Sequence, residues 1–286
     1  MNNAEKLTYS DLSNCVRLTN GEVEIVVTTE VGPRILHYSF AGGENVLGLH
    51  AEAKVKTALG EFKPYGGHRL WIAPEHMPNS YAPDNSPVEY AFDELNNSIH
   101  LTQPLETVTQ TQKEMIVALE KGGSGVLVNH RITNRGAETI QIAPWALTIM
   151  CGGGEALIPN EPFAPYSGKT LLPVRTLSLW SYTDLSDSRW KFDRDFIRLR
   201  TNAEMKEPQK IGVLNKQGWA AYRWKNLQFA KRFDYVEGAL YPDMNSNTEL
   251  YVAGNFIEVE SLAPLTELAP GESTEYAERW ELNLID

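Results

Sequence analysis

The sequence predicts an all-β fold, a sandwich of large antiparallel sheets, and three observations carry that expectation. Short apolar runs alternate with Gly, Pro and Asn along the whole chain, at a spacing of about 8–12 residues. Aromatic residues are plentiful, with 7 Trp, 12 Tyr and 9 Phe, beside 21 Gly and 16 Pro. No long stretch keeps a helical period.

The elements follow in order. Residues 22–27 alternate, with Val23, Ile25 and Val27 on one side and Glu22 and Glu24 on the other, the mark of a half-buried strand. Residues 34–40 form a second run, broken by Gly42-Gly43. Residues 106–119 are rich in Thr and Gln and fit strands. Residues 126–133 alternate and stop at the turn Asn134-Arg135-Gly136. Residues 139–150 are apolar and run into Gly152-Gly153-Gly154. The segment 180–200 mixes Asp, Ser, Arg and aromatics and predicts a loop carrying a short helix. Residues 219–224 and 227–233 flank Lys225-Asn226, which predicts a hairpin. Residues 255–262 and 275–284 close the chain, joined through Pro270-Gly271.

No composition shift, linker or repeat divides the 286 residues, so a single domain spanning 1–286 is expected. The net charge of −11 repels phosphate backbones and anionic lipid, so neither nucleic acid nor membrane is an expected partner. Cys15 and Cys151 are too few for a disulfide framework and read as free thiols of a reducing compartment. Residues 1–12 are polar and lack the apolar core of a signal peptide. No run reaches the roughly 20 apolar residues of a membrane helix. A cytoplasmic location is the expectation.

Candidate site residues are polar groups on strand faces that should be apolar, because burying an unpaired charge is costly. Lys231 shares a face with Leu227, Phe229 and Phe233. It either snorkels to the surface or points into a cleft. Glu258 and Glu260 lie two apart and share a face with Phe256 and Leu262, while Ile257 and Val259 fill the other. Two like charges this close raise the pKa of at least one, which suits acid/base work. The run Gly66-Gly67-His68-Arg69-Leu70-Trp71-Ile72-Ala73-Pro74-Glu75 combines glycines that let a ligand approach, donors in His68 and Arg69, and the flat ring of Trp71. The plain alternative there is a turn followed by a strand. Arg34, after Gly32-Pro33, reaches a ligand or makes an ion pair, and His130 reads as a satisfied core histidine. His50, His76 and His100 show no metal-ligand spacing. No HExxH, CxxC, GxSxG, P-loop or GxGxxG is present, so neither a metal nor a cofactor is expected.

These residues resemble a known family. Gly32-Pro33-Arg34-Ile35, Gly66-Gly67-His68-Arg69-Leu70-Trp71 and Asn134-Arg135-Gly136 are similar to segments of the galactose mutarotase-like superfamily. So is the ending: Phe256-Ile257-Glu258-Val259-Glu260-Ser261-Leu262, then Leu268-Ala269-Pro270-Gly271-Glu272-Ser273, then Glu278-Arg279-Trp280. The resemblance covers nearly the whole chain and points to an uncharacterised bacterial branch. It implies a β supersandwich with an open sugar-binding face. In aldose 1-epimerases a glutamate takes the anomeric proton and a histidine protonates the ring oxygen. The resemblance places that glutamate at Glu258 or Glu260, and the sugar-contacting Arg and His at Arg34 and His68. The family's second histidine has no counterpart in Ala143-Pro144-Trp145-Ala146-Leu147-Thr148.

The functional expectation is therefore an epimerase-like enzyme with Glu258 or Glu260 as base and His68 or Lys231 as acid. Arg34, Arg69, Trp71 and Glu75 are expected to bind the substrate, a neutral or acidic mono- or oligosaccharide. The alternatives are a carbohydrate-binding protein without catalysis, or a lyase or hydrolase acting on a sugar or uronic acid.

Overall fold

The computed structural model describes residues 4–50 and 52–285. Two large antiparallel sheets face each other. The first, of 11 strands, runs Ala4–Tyr9, Leu12–Thr19, Val23–Thr28, Arg34–Phe40, His68–Ala73, Ile140–Met150, Phe256–Leu262, Thr248–Ala253, Gln209–Val213, Leu177–Leu179, with Thr266–Leu268 added beside Ile140–Met150. The second, of 10 strands, runs Glu89–Asp93, Ser98–Thr102, Thr111–Leu119, Val126–Asn134, Ser273–Leu284, Leu227–Phe233, Trp219–Trp224, Glu155–Pro159, Phe196–Arg200, Trp190–Phe192.

Between them lies the main core. Val23, Ile25 and Val27 are fully buried, as the alternation of that strand requires. They join Met115, Val117, Val126 and Val128 of the second sheet. Trp280 packs 5.9 Å from Tyr38 and 5.4 Å from Phe229, ring centre to ring centre. Burial of this kind contributes about 25 cal/mol per Å² of apolar surface and is the main force holding the sheets face to face.

The first sheet also buries its other face. Phe62, Trp71, Ala73, Ala143, Trp145, Leu147 and Leu262 form a second cluster there. This explains the largely apolar run from Ile142 to Met150, broken only by the buried Thr148, since a strand covered on both sides has no solvent face to mark with polar residues.

The expected hairpin forms, with Trp224 opposite Leu227 and Lys225 in the left-handed region at φ 54°. The segment 180–200 differs from expectation. It holds no helix; Trp190–Phe192 and Phe196–Arg200 pair as a hairpin. Asp193 caps its turn by accepting from the backbone N–H of Asp195 and Phe196, and the same carboxylate pairs with Arg198. Those local bonds and the pairing of Phe196–Arg200 with Glu155–Pro159 outweigh a weak helical preference. Among the described residues no helix is long and apolar enough to cross a membrane.

Candidate functional site

Alternation on five neighbouring strands builds a cleft on the outer face of the first sheet. On His68–Ala73 the side chains of Arg69 and Trp71 face outward, while His68 and Leu70 face the other sheet. Trp145 and Leu147 face outward from the next strand, and Phe256 and Glu258 from the one after. Tyr251 and Lys210 follow. The register sets these residues side by side: Leu147 lies opposite both Arg69 and Glu260, Glu258 opposite Tyr251, and Tyr251 opposite Lys210. They line a cavity of about 470 Å³ with Tyr81, Trp180 and Tyr182.

The two glutamates take different positions. Glu258 reaches the cavity and accepts a hydrogen bond from Arg69 Nη2 at 3.0 Å. Glu260 is sealed beneath, accepting from Trp145 Nε1 at 2.8 Å and Lys210 Nζ at 3.0 Å. Lys210 also pairs with Glu249 at 2.7 Å. The floor thus sets three carboxyls against two cations, in surroundings too dry to screen them.

The consequence is a graded set of affinities for protons. Burial pushes Glu258 up from 4.5 to about 7, with the Arg69 charge pulling it back and Glu260 adding to the rise. Burial pushes Glu249 well above the carboxylate range, only partly offset by Lys210. For Lys210 burial works against the charge, but Glu249 and Glu260 overcome it and hold the ammonium well above its ordinary value.

Glu258 makes stability depend on pH. Its pKa is higher folded than unfolded, so between about pH 4.5 and 7 the folded state binds more protons and loses stability as pH rises. The melting temperature is expected to fall less steeply over that window in Glu258→Gln than in the wild type. Equal slopes in thermal scans would show that Glu258 titrates normally.

His68 and Lys231, expected as acids, do not share this cleft. Both are fully buried between the sheets. Lys231 pairs with Glu278 at 2.8 Å and donates to Ala146 O and Thr148 Oγ1. Glu278 also accepts from Ser261 and from Trp280 Nε1. His130 Nδ1 contacts the Tyr276 carbonyl at 3.0 Å, so that nitrogen carries its proton and Nε2 is left to accept. His68 Nε2, 2.7 Å away, then donates to it, and His68 Nδ1 accepts from Thr148. Burial, with the neighbouring His130 and the charges of Lys231 and Arg69 adding to it, holds His68 well below its ordinary value, so it is a neutral imidazole. His130 is a satisfied core histidine, as its strand face suggests.

His68, His130 and Glu278 bring three ligand atoms within 4.8 Å of one another, a grouping that sequence spacing concealed. Their lone pairs are committed to Lys231, Ser261, Trp280 and each other, so a cation would have to displace the Lys231 ammonium.

The remaining expected ligand contacts divide. Arg69 and Glu75 line the cleft; Glu75 accepts from Tyr81 Oη at 2.5 Å. Trp71 also lines it but is only 5 % exposed, with Trp145, Tyr81 and the Arg69 guanidinium packed around its ring. The more accessible rings are Tyr182, which is exposed, and Tyr81, Trp180, Tyr251 and Phe256, which are half-buried. Arg34 is fully buried and lies outside the cleft wall. It grips Asp84 with two bonds of 2.8 Å and donates to Lys63 O, so it fastens loops to the sheet. Gly67 is demanded by the chain itself: at φ 67° a Cβ would sit 1.9 Å from Ile35 O. Sequence reasoning missed Lys210, Tyr251, Trp180 and Tyr182. The first two lie in short runs, Gln-Lys-Ile-Gly-Val and Thr-Glu-Leu-Tyr-Val-Ala, whose alternation carries the signal.

No protein-family model matches this sequence, and no curated protein is similar to it in sequence. The fold is nevertheless defined by comparison with solved structures: it is the galactose mutarotase-like β supersandwich. A galactose mutarotase-like protein from Lactobacillus casei ATCC 334 superposes with a TM-score of 0.62 at 11% identity, over 94% of this chain and 100% of that one. A galactose mutarotase related enzyme from Lactobacillus acidophilus gives 0.55 at 9% identity, over 94% and 98%. A TPR-domain containing protein from Parabacteroides distasonis ATCC 8503 gives 0.60 at 13% identity, over 95% of this chain and 48% of that one.

Proposed function

We propose that the cleft binds a carbohydrate and works on its anomeric centre in the manner of an aldose 1-epimerase, with Glu258 as general base. The observation that carries this is a nearly buried carboxyl, with a pKa of about 7, opening into an aromatic cleft. A base is most effective when its pKa lies near the working pH. Sugar rings offer apolar C–H faces that pack on Tyr182, Tyr251 and Phe256, while polar groups at the floor meet the hydroxyls.

In the reaction Glu258 takes the proton of the anomeric hydroxyl. The aldehyde C=O forms, the bond from C1 to the ring oxygen breaks, and that oxygen takes a proton from solvent water entering the open cleft. Reclosure on the other face of the aldehyde reverses each step. Arg69 lines the cleft beside Glu258, and its positive charge offsets negative charge developing on the ring oxygen. The name of the Lactobacillus acidophilus neighbour, a galactose mutarotase related enzyme, agrees with this activity.

One observation favours a second reading, sugar binding without catalysis. Among the described residues no histidine lines the cleft. The two readings separate when anomer interconversion is followed by NMR exchange in a panel of aldoses and uronic acids. Acceleration supports the enzyme, and binding without acceleration supports the second reading. In either case Tyr182→Ala is expected to weaken sugar binding about tenfold, since stacked aromatic contacts contribute about 1 kcal/mol or more beyond their area. Tyr182 is 40 % exposed, so its loss is expected to lower the melting temperature far less than truncation of a core ring such as Trp71. Unaltered affinity in titration calorimetry would remove Tyr182 from the site.

A further inference from the structure

We propose that the cleft is one subsite of a longer groove, and that its ligand is an oligosaccharide of two or more sugar units. This rests on the carbohydrate reading above. The cleft does not end at Phe256. That ring also lines an adjoining cavity of about 520 Å³, walled by His50, Lys206 and Asn255. A third depression of about 690 Å³ shares Lys206 with the second and Tyr182 and Pro208 with the first. The three meet around residues 204–209. The cleft alone falls within the roughly 300–1,000 Å³ of a single small-molecule site. The adjoining cavity adds space of the same order on the far side of one shared aromatic ring.

The chemistry of that second cavity suits a sugar ring. Phe256 stands edge-on to the His50 imidazole at 4.5 Å, so apolar and polar ring edges are offered together. Burial, reinforced by the Arg69 charge, pulls His50 below its ordinary value and keeps it neutral, able to donate and accept. The Lys206 ammonium and the Asn255 amide are exposed and take no side-chain partner among the described residues. The Asn255 amide lies directly over Gly152, where a Cβ would sit 2.0 Å from Nδ2. The first glycine of the Gly152-Gly153-Gly154 run, which the cleft itself does not use, thus makes room for a polar group at the rim of the second cavity.

The test is titration calorimetry with galactose, glucose and galacturonate, each beside its 1,4-linked di- and trisaccharide. At least one disaccharide is expected to bind about tenfold more tightly than its monosaccharide, the gain of one or two net hydrogen bonds. The double variant Lys206→Ala/Asn255→Ala is expected to bring the longer sugars down to the affinity of the monosaccharide. A monosaccharide that binds as tightly as its oligomers overturns the proposal and leaves the carbohydrate reading standing. A gain that survives in the double variant overturns the assignment of the second cavity. No binding by any sugar of any length overturns the carbohydrate reading and this proposal with it.

Discussion

Lys231→Met is expected to destabilise the protein by about 3–5 kcal/mol, because it strands the Glu278 carboxylate without a counter-charge in a fully buried site. The pair joins the two sheets. Lys231, Glu278 and Trp280 come from the second sheet, while Ala146, Thr148 and Ser261 come from the first. Burial alone would push the Glu278 carboxyl up, but Lys231, His130 and the hydrogen bonds outweigh it and leave it below its ordinary value. The ionised form is therefore the one the fold is built around. Removing only the ammonium converts a satisfied network into a buried, uncompensated charge. Replacing both partners with apolar residues removes the desolvation cost together with the attraction, so Lys231→Met/Glu278→Leu should be clearly less destabilised than Lys231→Met alone. Urea unfolding of both variants decides the matter. A cost below about 1 kcal/mol for the single change, or a double variant worse than the single, would show that the charges do not depend on each other. If the single variant fails to fold, a folded double variant makes the same point.

The sheets were largely legible before the structure was known, because period-two alternation and turn residues are local signals. Val23, Ile25 and Val27 show this, as does the hairpin at Lys225-Asn226. Segment 180–200 was not, since its strand Phe196–Arg200, on which Trp190–Phe192 pairs in turn, depends on Glu155–Pro159, a partner distant in sequence.

The site was legible only in outline. Alternation correctly placed Glu258 and Glu260 on one face, but depth is a tertiary property: one glutamate opens to the cleft and the other lies beneath Trp145 and Lys210. For His68 and Arg69 the same alternation works the other way. Adjacent in sequence, they point to opposite sides of the sheet, one into the polar network of the core and one into the cleft. Lys231 looked anomalous among apolar neighbours, and it is, but its partner Glu278 lies 47 positions away on the adjacent strand. A buried ion pair and a ligand-facing lysine leave the same mark on a single strand.

Glu258→Gln is expected to lower the rate of sugar anomer interconversion by about 10²–10⁴-fold, the usual cost of removing a general base. Glutamine keeps the shape and can still accept from Arg69, so the cleft stays intact and sugar affinity should change little. The pH profile gives a second, independent signature. A general base works in its ionised form, and Glu258 ionises with a pKa of about 7. In the wild type kcat/KM should therefore rise as pH passes upward through about 7 and level off above it. In Glu258→Gln the residual rate should lack that step. Glu260→Gln separates the base from its surroundings. Glu260 is sealed from the cavity, and its carboxylate holds Lys210 and Trp145, so its loss should reduce stability more than it alters the pH step. Polarimetry across pH 5–9 on the three proteins reads the rates and their pH profiles, thermal unfolding the stability, and titration calorimetry the affinity. Full activity in Glu258→Gln with an unchanged profile would remove Glu258 from the chemistry. A step abolished only by Glu260→Gln would move the base to the buried position.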